Sequence, residues 1–443
     1  MTPEERMDVA ERVLARARGD AIEVTVHATR QALTRFTHEA VNQNVDETNV
    51  SVRVRSIVDG RSGIAATNAF DEAALDAVAG RARELATFAP REAIEPTLAG
   101  PASVAAPPGA YVAATAHASP DRRAAVADAI FEHARANDLW SSGFVTTASQ
   151  GVTIATSRGA RMNYDGTDAG ANVKMNGSDA TGFAERYARD VAALDGDLLG
   201  ARAARKAVAS RAPLAVEPGE WTVILEPAAF GELLRYLTMH FSAESYGEGS
   251  SFLSGKLGTP VLGTNVTIRD DYAHPLNPGM PFDFEGVPTQ RLALVDGGIA
   301  ENIVTDTAWA KRLKRPNTGH ALPAPNVLGP QSNATVVDPG PKSVETLIAQ
   351  TKRGLLITRL WYVRIVDQRT ALLTGMTRDG TFLIEDGVVT RGVRNMRFNE
   401  SIVDALATCE LAAVQERTGG YSYSLVTPAV KLERFRFASA APY

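Results

Sequence analysis

Two stretches near the start of the chain alternate apolar and polar residues with a period of two. Ile22, Val24 and Val26 alternate with Glu23 and Thr25, and Val50, Val52 and Val54 face away from Ser51 and Arg53. That period marks strands with one buried face. Asp59-Gly60 turns the second strand back into Gly63-Ile64-Ala65-Ala66, which predicts an antiparallel hairpin. Such a sheet needs a cover for its apolar face, and helical patterns supply one. Thr2-Pro3-Glu4-Glu5 caps a predicted helix running to about Ala17. Between Asp71 and Phe88, residues Leu75, Val78, Ala79, Ala82, Leu85 and Ala86 share one helical face. Ser119-Pro120-Asp121 opens a third helix to about Ala136, with Val126, Ile130 and Ala134 on its stripe.

The rest of the chain keeps this mixture. Residues 89–120, rich in proline and alanine and without a period, read as a surface connector. Strands are expected from Leu139 to about Ala188, with a hairpin turn at Gln150-Gly151 between Phe144-Val145 and Val152-Thr153-Ile154. A helix is expected over 197–210 and a hinge over 213–219. The second half reads as strands at 221–225, 266–269, 292–295, 381–384 and 430–437, with helices at 227–241, 343–351 and 401–415. No short-period repeat is visible. The expected fold class is α+β: a mixed α/β N-terminal domain, 1–213, followed by a β-rich C-terminal domain, 214–443.

Composition narrows the function classes. A chain of 443 residues is long enough to bury a core without staples. Its formal net charge of -5 lacks the basic excess of a nucleic-acid binder, so no nucleic-acid partner is expected. One cysteine, Cys409, excludes an intrachain disulfide framework and a cysteine-rich zinc module, and suits a reducing compartment. The charged N-terminus and the lack of about 18 consecutive apolar residues predict a cytoplasmic protein without a membrane partner.

Chemical motifs are sparse. Gly249-Ser-Ser-Phe-Leu-Ser-Gly255-Lys256-Leu257 fails as a phosphate loop, because five residues separate the glycines and Leu257 stands where a hydroxyl is needed. None of the seven histidines forms a His-Glu-x-x-His pair. Asp270-Asp271 and Asp283-Phe-Glu285 are acidic pairs that suit acid–base work, a hard cation, or simply turns. Cys409, placed on the apolar stripe of the 401–415 helix with Ile402, Leu406 and Val414, reads as a buried structural thiol.

Longer segments resemble the TldD/PmbA family, also called TldD/TldE. They are Val223-Ile-Leu-Glu-Pro-Ala-Ala-Phe-Gly-Glu-Leu-Leu234, the stretch Gly249–Gly258, Val266–Asp271, Glu285–Arg291, Thr318-Gly-His320, Arg353–Arg359, Arg378–Gly387 and Arg397–Ser401, in family order. The Val52–Ala66 hairpin resembles the family's N-terminal one, so the resemblance spans nearly the whole chain. TldD-type members are zinc peptidases with a His-Glu-x-x-x-His motif on the helix matching 227–241. Laid onto this chain, that motif falls on Arg235, Tyr236 and His240, and the region of the family's cysteine ligand reads Glu416-Arg-Thr-Gly-Gly-Tyr421. A guanidinium repels a dication, and a phenol is a poor base at neutral pH. Two positions five residues apart lie about 140° apart around an ideal helix, so without a metal a more regular helix is expected here.

The resemblance therefore implies a TldE/PmbA-like, non-catalytic subunit with no metal of its own. Zinc is expected in a TldD-type partner, and the complex acts on unfolded or small peptides, including modified ones. A dimer is expected, with a homodimer possible for the isolated chain. An extended peptide would add to a strand edge. The candidate groove comprises Ser250, Ser251, Phe252, Ser254, Lys256, Asp271, Asp283, Glu285 and His320. Two other readings stay open. One is a stand-alone, metal-independent enzyme using Asp271, Asp283, His240 or His320. The other is a binding or scaffold protein, in keeping with the family's older name as a modulator of DNA gyrase.

Overall fold

A computed structural model describes residues 1–419 and 423–441. The N-terminal half holds a six-stranded antiparallel sheet built from two similar units. The first runs α1 (Pro3–Arg16), β1 (Ala21–Thr37), β2 (Ala40–Val58), β3 (Arg61–Thr67) and α2 (Glu72–Phe88). After a connector with one short turn, α3 (Ala113–Ala116), come α4 (Pro120–Ala136), β4 (Trp140–Thr156), β5 (Arg161–Asn176), β6 (Thr181–Ala188) and α5 (Gly196–Ala209). The strand order β3-β2-β1-β4-β5-β6 places the two meanders back to back, with β1 and β4 antiparallel at the centre.

Local chemistry explains the helices. In α1 the Thr2 hydroxyl accepts the Glu5 N–H and the Glu5 carboxylate accepts the Thr2 N–H, a capping box. Asp71 and Ser119 cap α2 and α4 in the same way at one end. The fourth residue of α1 and of α4 is a buried arginine, and each donates Nε across the centre of the sheet. Arg6 reaches Thr153 Oγ1 on β4 at 3.1 Å, and Arg123 reaches Thr34 Oγ1 on β1 at 3.1 Å. The shared opening, Thr2-Pro-Glu-Glu-Arg6 against Ser119-Pro-Asp-Arg-Arg123, is the sequence trace of this long-period repeat.

Two expectations about the first sheet need correction. Gln150-Gly151 is no turn: β4 runs straight through it, with Gln150 opposite Thr29 and Gly166. Gly151 is instead the position where a Cβ would meet the Arg6 guanidinium, 2.2 Å from Nη1. The turn comes at 157–160, where Gly159 takes a positive φ of 98°. The strand of Ile22, Val24 and Val26 is not half-buried, because Glu23 and Thr25 on its other face are also enclosed. The helices cover one face of the sheet and the C-terminal half covers the other, where Val152, Ile154, Met162 and Tyr164 pack with Phe282.

The C-terminal half begins with β7 (Gly219–Leu225) and α6 (Pro227–Thr238), followed by a 3-10 turn at Met239–Phe241 and α7 (Ala243–Gly247). Short strands β8 (Ile268–Asp270), β9 (Leu292–Asp296) and β10 (Ile299–Ala300) precede α8 (Thr307–Leu313), β11 (Thr335–Val337) and α9 (Val344–Ala349). Then come β12 (Arg353–Asp367), β13 (Leu372–Glu385), β14 (Val388–Gly392), β15 (Met396–Ser401), α10 (Ile402–Ala407), β16 (Cys409–Gly419) and β17 (Ser424–Ala440). Strand β7 pairs with both β12 and β17, so β7-β12-β13-β15-β17 close into a ring. Its core includes Val223, Leu225, Phe398, Leu432, Phe435 and Phe437, with Phe230, Leu233 and Leu237 of α6 in the same cluster.

The expected helix over 401–415 stops at Ala407, and Cys409 begins a strand paired with β17. An antiparallel ladder with the next strand, from Cys409 opposite Leu432 to Gly419 opposite Ser424, outweighs local helical propensity there. Cys409 is still buried, and burial pushes its thiol up to about 11. The expected regular helix over 227–241 also falls short. Its α-helical part ends at Thr238, and the 3-10 turn carries His240 into the core against Phe252.

Candidate functional site

A cavity of about 460 Å³ opens between the covered face of the first sheet and the C-terminal half. From the sheet side it is lined by His27 of β1, Gln150 of β4, and Tyr164, Gly166 and Asp168 of β5. Period-two alternation puts those three β5 residues on one face. The other wall is built from Arg235, Asp270, Asn277, Asp283, His320 and Arg417.

One set of the residues lining the cavity is acidic. Asp270 closes β8, with His320 Nε2 lying 3.3 Å from its Oδ1. Ser332 Oγ donates to Asp270 Oδ2 at 2.7 Å, and the Ala334 N–H donates to the same oxygen at 3.2 Å. Burial alone would raise the Asp270 carboxyl; His320 and these donors outweigh it and hold it below its usual range. His320 Nδ1 contacts Thr318 Oγ1 at 3.0 Å. Asp283 accepts three backbone N–H bonds, from Glu285, Val287 and Ala321. Burial and the nearby Glu285 nevertheless push its carboxyl up.

A second set is basic. Asp168 sits between two guanidiniums, paired with Arg417 Nη2 and lying 3.3 Å from Arg189 Nη1. Arg417 also donates Nε to Ser424 Oγ at 2.6 Å, and Arg189 donates Nη2 to Asn277 Oδ1 at 3.0 Å. Burial works against the charge on Arg417, and Asp168 sustains it. Burial likewise keeps the Tyr164 phenol protonated beyond its usual range.

The other predicted positions lie elsewhere. Ser250, Ser251 and Ser254 donate their hydroxyls to the main-chain oxygens of Ser245, His240 and Tyr246. Phe252 is buried in the core, and Lys256 is exposed. None of these five lines the cavity. Asp271 turns away to a two-pronged pair with Arg291, at 2.6 and 2.8 Å, and Glu285 accepts the Thr307 N–H at 3.1 Å. Of the predicted groove, the cavity takes in Asp283 and His320. Sequence reading passed over Tyr164, Asp168, Arg189 and Arg417. The alternation over Met162, Tyr164, Gly166 and Asp168 was a signal for two of them, and Arg417 lies just past the helix expected over 401–415, where no strand was expected.

Three family models match in chain order. They are the PmbA/TldA metallopeptidase domain 1 over residues 22–86, the central domain over 115–211 and the C-terminal domain over 218–439. The chain belongs to the PmbA/TldD family. Among its relatives, a metalloprotease of Methanothermobacter thermautotrophicus is 24% identical over 63% of this chain and 61% of its own length. The metalloprotease PmbA homolog of Haemophilus influenzae is 28% identical over 47% of this chain and 44% of its own. These matches span less than two thirds of the relatives' lengths. Among solved structures, TldE from Thermococcus kodakarensis superposes with a TM-score of 0.89 at 21% identity, covering 99% of this chain and 100% of that one. A Thermotoga maritima protein described as a modulator of a DNA gyrase gives 0.85 at 20% identity, covering 98% and 100%. At that identity the likeness establishes the fold.

Membership of a metallopeptidase family raises the question of zinc. Arg235 stacks its guanidinium over the Tyr423 ring, 4.6 Å from the centroid. Tyr236 donates its hydroxyl to the Val363 carbonyl at 2.6 Å. His240 is 1% exposed, does not line the cavity, and burial pulls its imidazole down to about 4. A guanidinium has no lone pair to give a metal, and the phenol is already committed. Among the described residues no group of three or more His, Cys, Asp or Glu is placed to hold a metal ion. The donor set at these positions does not fit zinc. Within the region matching the family's cysteine ligand, Glu416 to Gly419 belong to β16, while Gly420 and Tyr421 lie outside the described residues.

Proposed function

We propose that this chain is the zinc-free, TldE-like subunit of a two-subunit metallopeptidase. In this reading it acts in the cytoplasm with a TldD-type partner, which supplies the metal and the general base, while this chain holds part of an unfolded or small peptide. The observation that carries the reading is the fate of Arg235 and Tyr236, which stand in the ligand and base positions and are engaged with Tyr423 and Val363. Asp283 and His320 in the cavity wall supply polar contacts for the peptide. The absence of a membrane-spanning helix among the described residues is compatible with this setting.

Affinity isolation of the tagged chain from native lysate tests the proposal. A partner carrying an intact His-Glu-x-x-x-His is expected to come along, and the purified chain alone should show neither stoichiometric zinc nor peptidase activity. Zinc at one equivalent, with peptide cleavage by the isolated chain, would refute it. A stand-alone, metal-independent enzyme is the second reading, favoured by the buried Asp270–His320 pair in the cavity wall. Turnover by the isolated chain in the presence of a chelator, lost in His320→Asn, would support that alternative.

A further inference from the structure

Unspent hydrogen-bond donors gather among the basic residues that line the cavity. Arg417 Nη1, Arg189 Nε and the Tyr164 hydroxyl are buried without a partner, and all three residues line the cavity. The Arg417 side chain is 2% exposed. Asn277 spends its carbonyl oxygen on Arg189 and Ser424, so its amide hydrogens remain for a further acceptor. Native structures rarely leave buried donors unmatched, so a cluster of them around one cavity marks the place of an acceptor.

Charge specifies that acceptor further. Asp168 brings one negative charge against the guanidiniums of Arg189 and Arg417. The neighbouring Asp165 is taken by Arg6 at 2.9 Å. The cluster is therefore left with one positive charge in excess, which matches a monoanion. A planar carboxylate suits guanidinium donors, which bind it with parallel N–H bonds. Gly166 permits the arrangement, because a Cβ there would lie 2.4 Å from the Tyr164 oxygen. The same cavity is also lined by Asp270 and Asp283. Its volume is that of a small-ligand pocket.

We propose that Arg417, Arg189, Tyr164 and Asn277 form a binding site for the C-terminal carboxylate of a short peptide lying in this cavity. The peptide backbone of that ligand rests on the function proposed above; the recognition of a carboxylate does not. Calorimetric titration of the purified full chain with Ala-Ala-Ala as the free acid, as its C-terminal amide, and with inorganic phosphate tests the site. The acid should bind at least tenfold more tightly than the amide, and Arg417→Met, which leaves Asp168 paired with Arg189, should abolish that preference. Because Arg417 is buried, the acid–amide comparison on the unaltered chain stands by itself should the variant fail to fold, and Arg189→Gln offers a second variant. Equal affinity for acid and amide, no binding of the acid at millimolar concentration, tighter binding of phosphate than of the acid, or a preference that survives in folded Arg417→Met would each overturn the assignment. No partner subunit enters this titration, so a failed co-isolation leaves its outcome unaffected.

Discussion

Glu23 lies on the face of β1 that looks toward the C-terminal half, 3% exposed, with Oε2 unmatched. Burial pushes its carboxyl up from 4.5 to about 7. The sign of the pH effect follows directly. Between those two values the folded chain holds a proton that the unfolded chain releases, so Glu23 makes stability fall as pH rises through this window. By pH 8 the full cost, about 3 kcal/mol, is present. Glu23→Gln keeps the shape and removes the ionisation. The variant is expected to match the parent near pH 4.5 and to exceed it by about 3 kcal/mol at pH 8. Denaturant unfolding at both pH values checks this, and an unchanged difference between them would contradict the burial account. Sequence alternation identified β1 but assigned Glu23 to solvent, because the cover over that face comes from residues far along the chain.

At the scale of elements, the two N-terminal units use glycine in the same way. A Cβ on Gly63 of β3 would lie 2.1 Å from Ala82 O and Ala86 N of α2. One on Gly182 of β6 would lie 2.2 Å from Ala203 O and 2.4 Å from Ala207 N of α5. In both units a helix backbone rests directly on an edge strand, so Gly63→Ala and Gly182→Ala should each destabilise by about 1–3 kcal/mol through overpacking. Gly80, exposed on α2 with nothing near its Cβ position, is the contrast, and Gly80→Ala should stabilise by up to about 1 kcal/mol. Thermal unfolding of the three variants checks the opposite signs. The caps and apolar faces of α1, α2 and α4 were legible because they depend on neighbours within one or two turns. The passage of β4 through Gln150-Gly151 was not, since Gly151 answers to Arg6 on a helix that crosses it.

For the whole molecule, Asp168 is the charged joint between the halves. It belongs to the first sheet and pairs with Arg417, 249 residues away, on β16 of the second. Lys174–Asp379 at 3.1 Å and Arg202–Glu416 at 3.4 Å cross the same boundary nearer the surface. Asp168→Asn would leave two guanidiniums enclosed without their carboxylate, and breaking a buried pair in this way typically costs about 3–5 kcal/mol. A lower unfolding midpoint is expected in guanidinium chloride, which also screens the weaker surface pairs. A midpoint equal to the parent's would mean that the joint is carried by apolar packing alone.

By itself the amino-acid sequence determined the helix starts, the alternating strands of the first hairpin, the family, and the identity of Arg235 and Tyr236 at the positions on which the family resemblance lays a metal ligand and a base. These rest on backbone caps, side-chain periodicity and the identity of single residues, all of which act locally. Only the tertiary structure decided that 409–419 is a strand, that both faces of the first sheet are covered, and that Arg189 and Arg417 meet at Asp168 in a cavity that Asp270 and His320 also line. The strand at 409–419 depends on its ladder with the next strand, and the cover over the sheet and the Asp168–Arg417 pair join segments far apart in the chain, so none of them leaves a periodic mark on the local sequence.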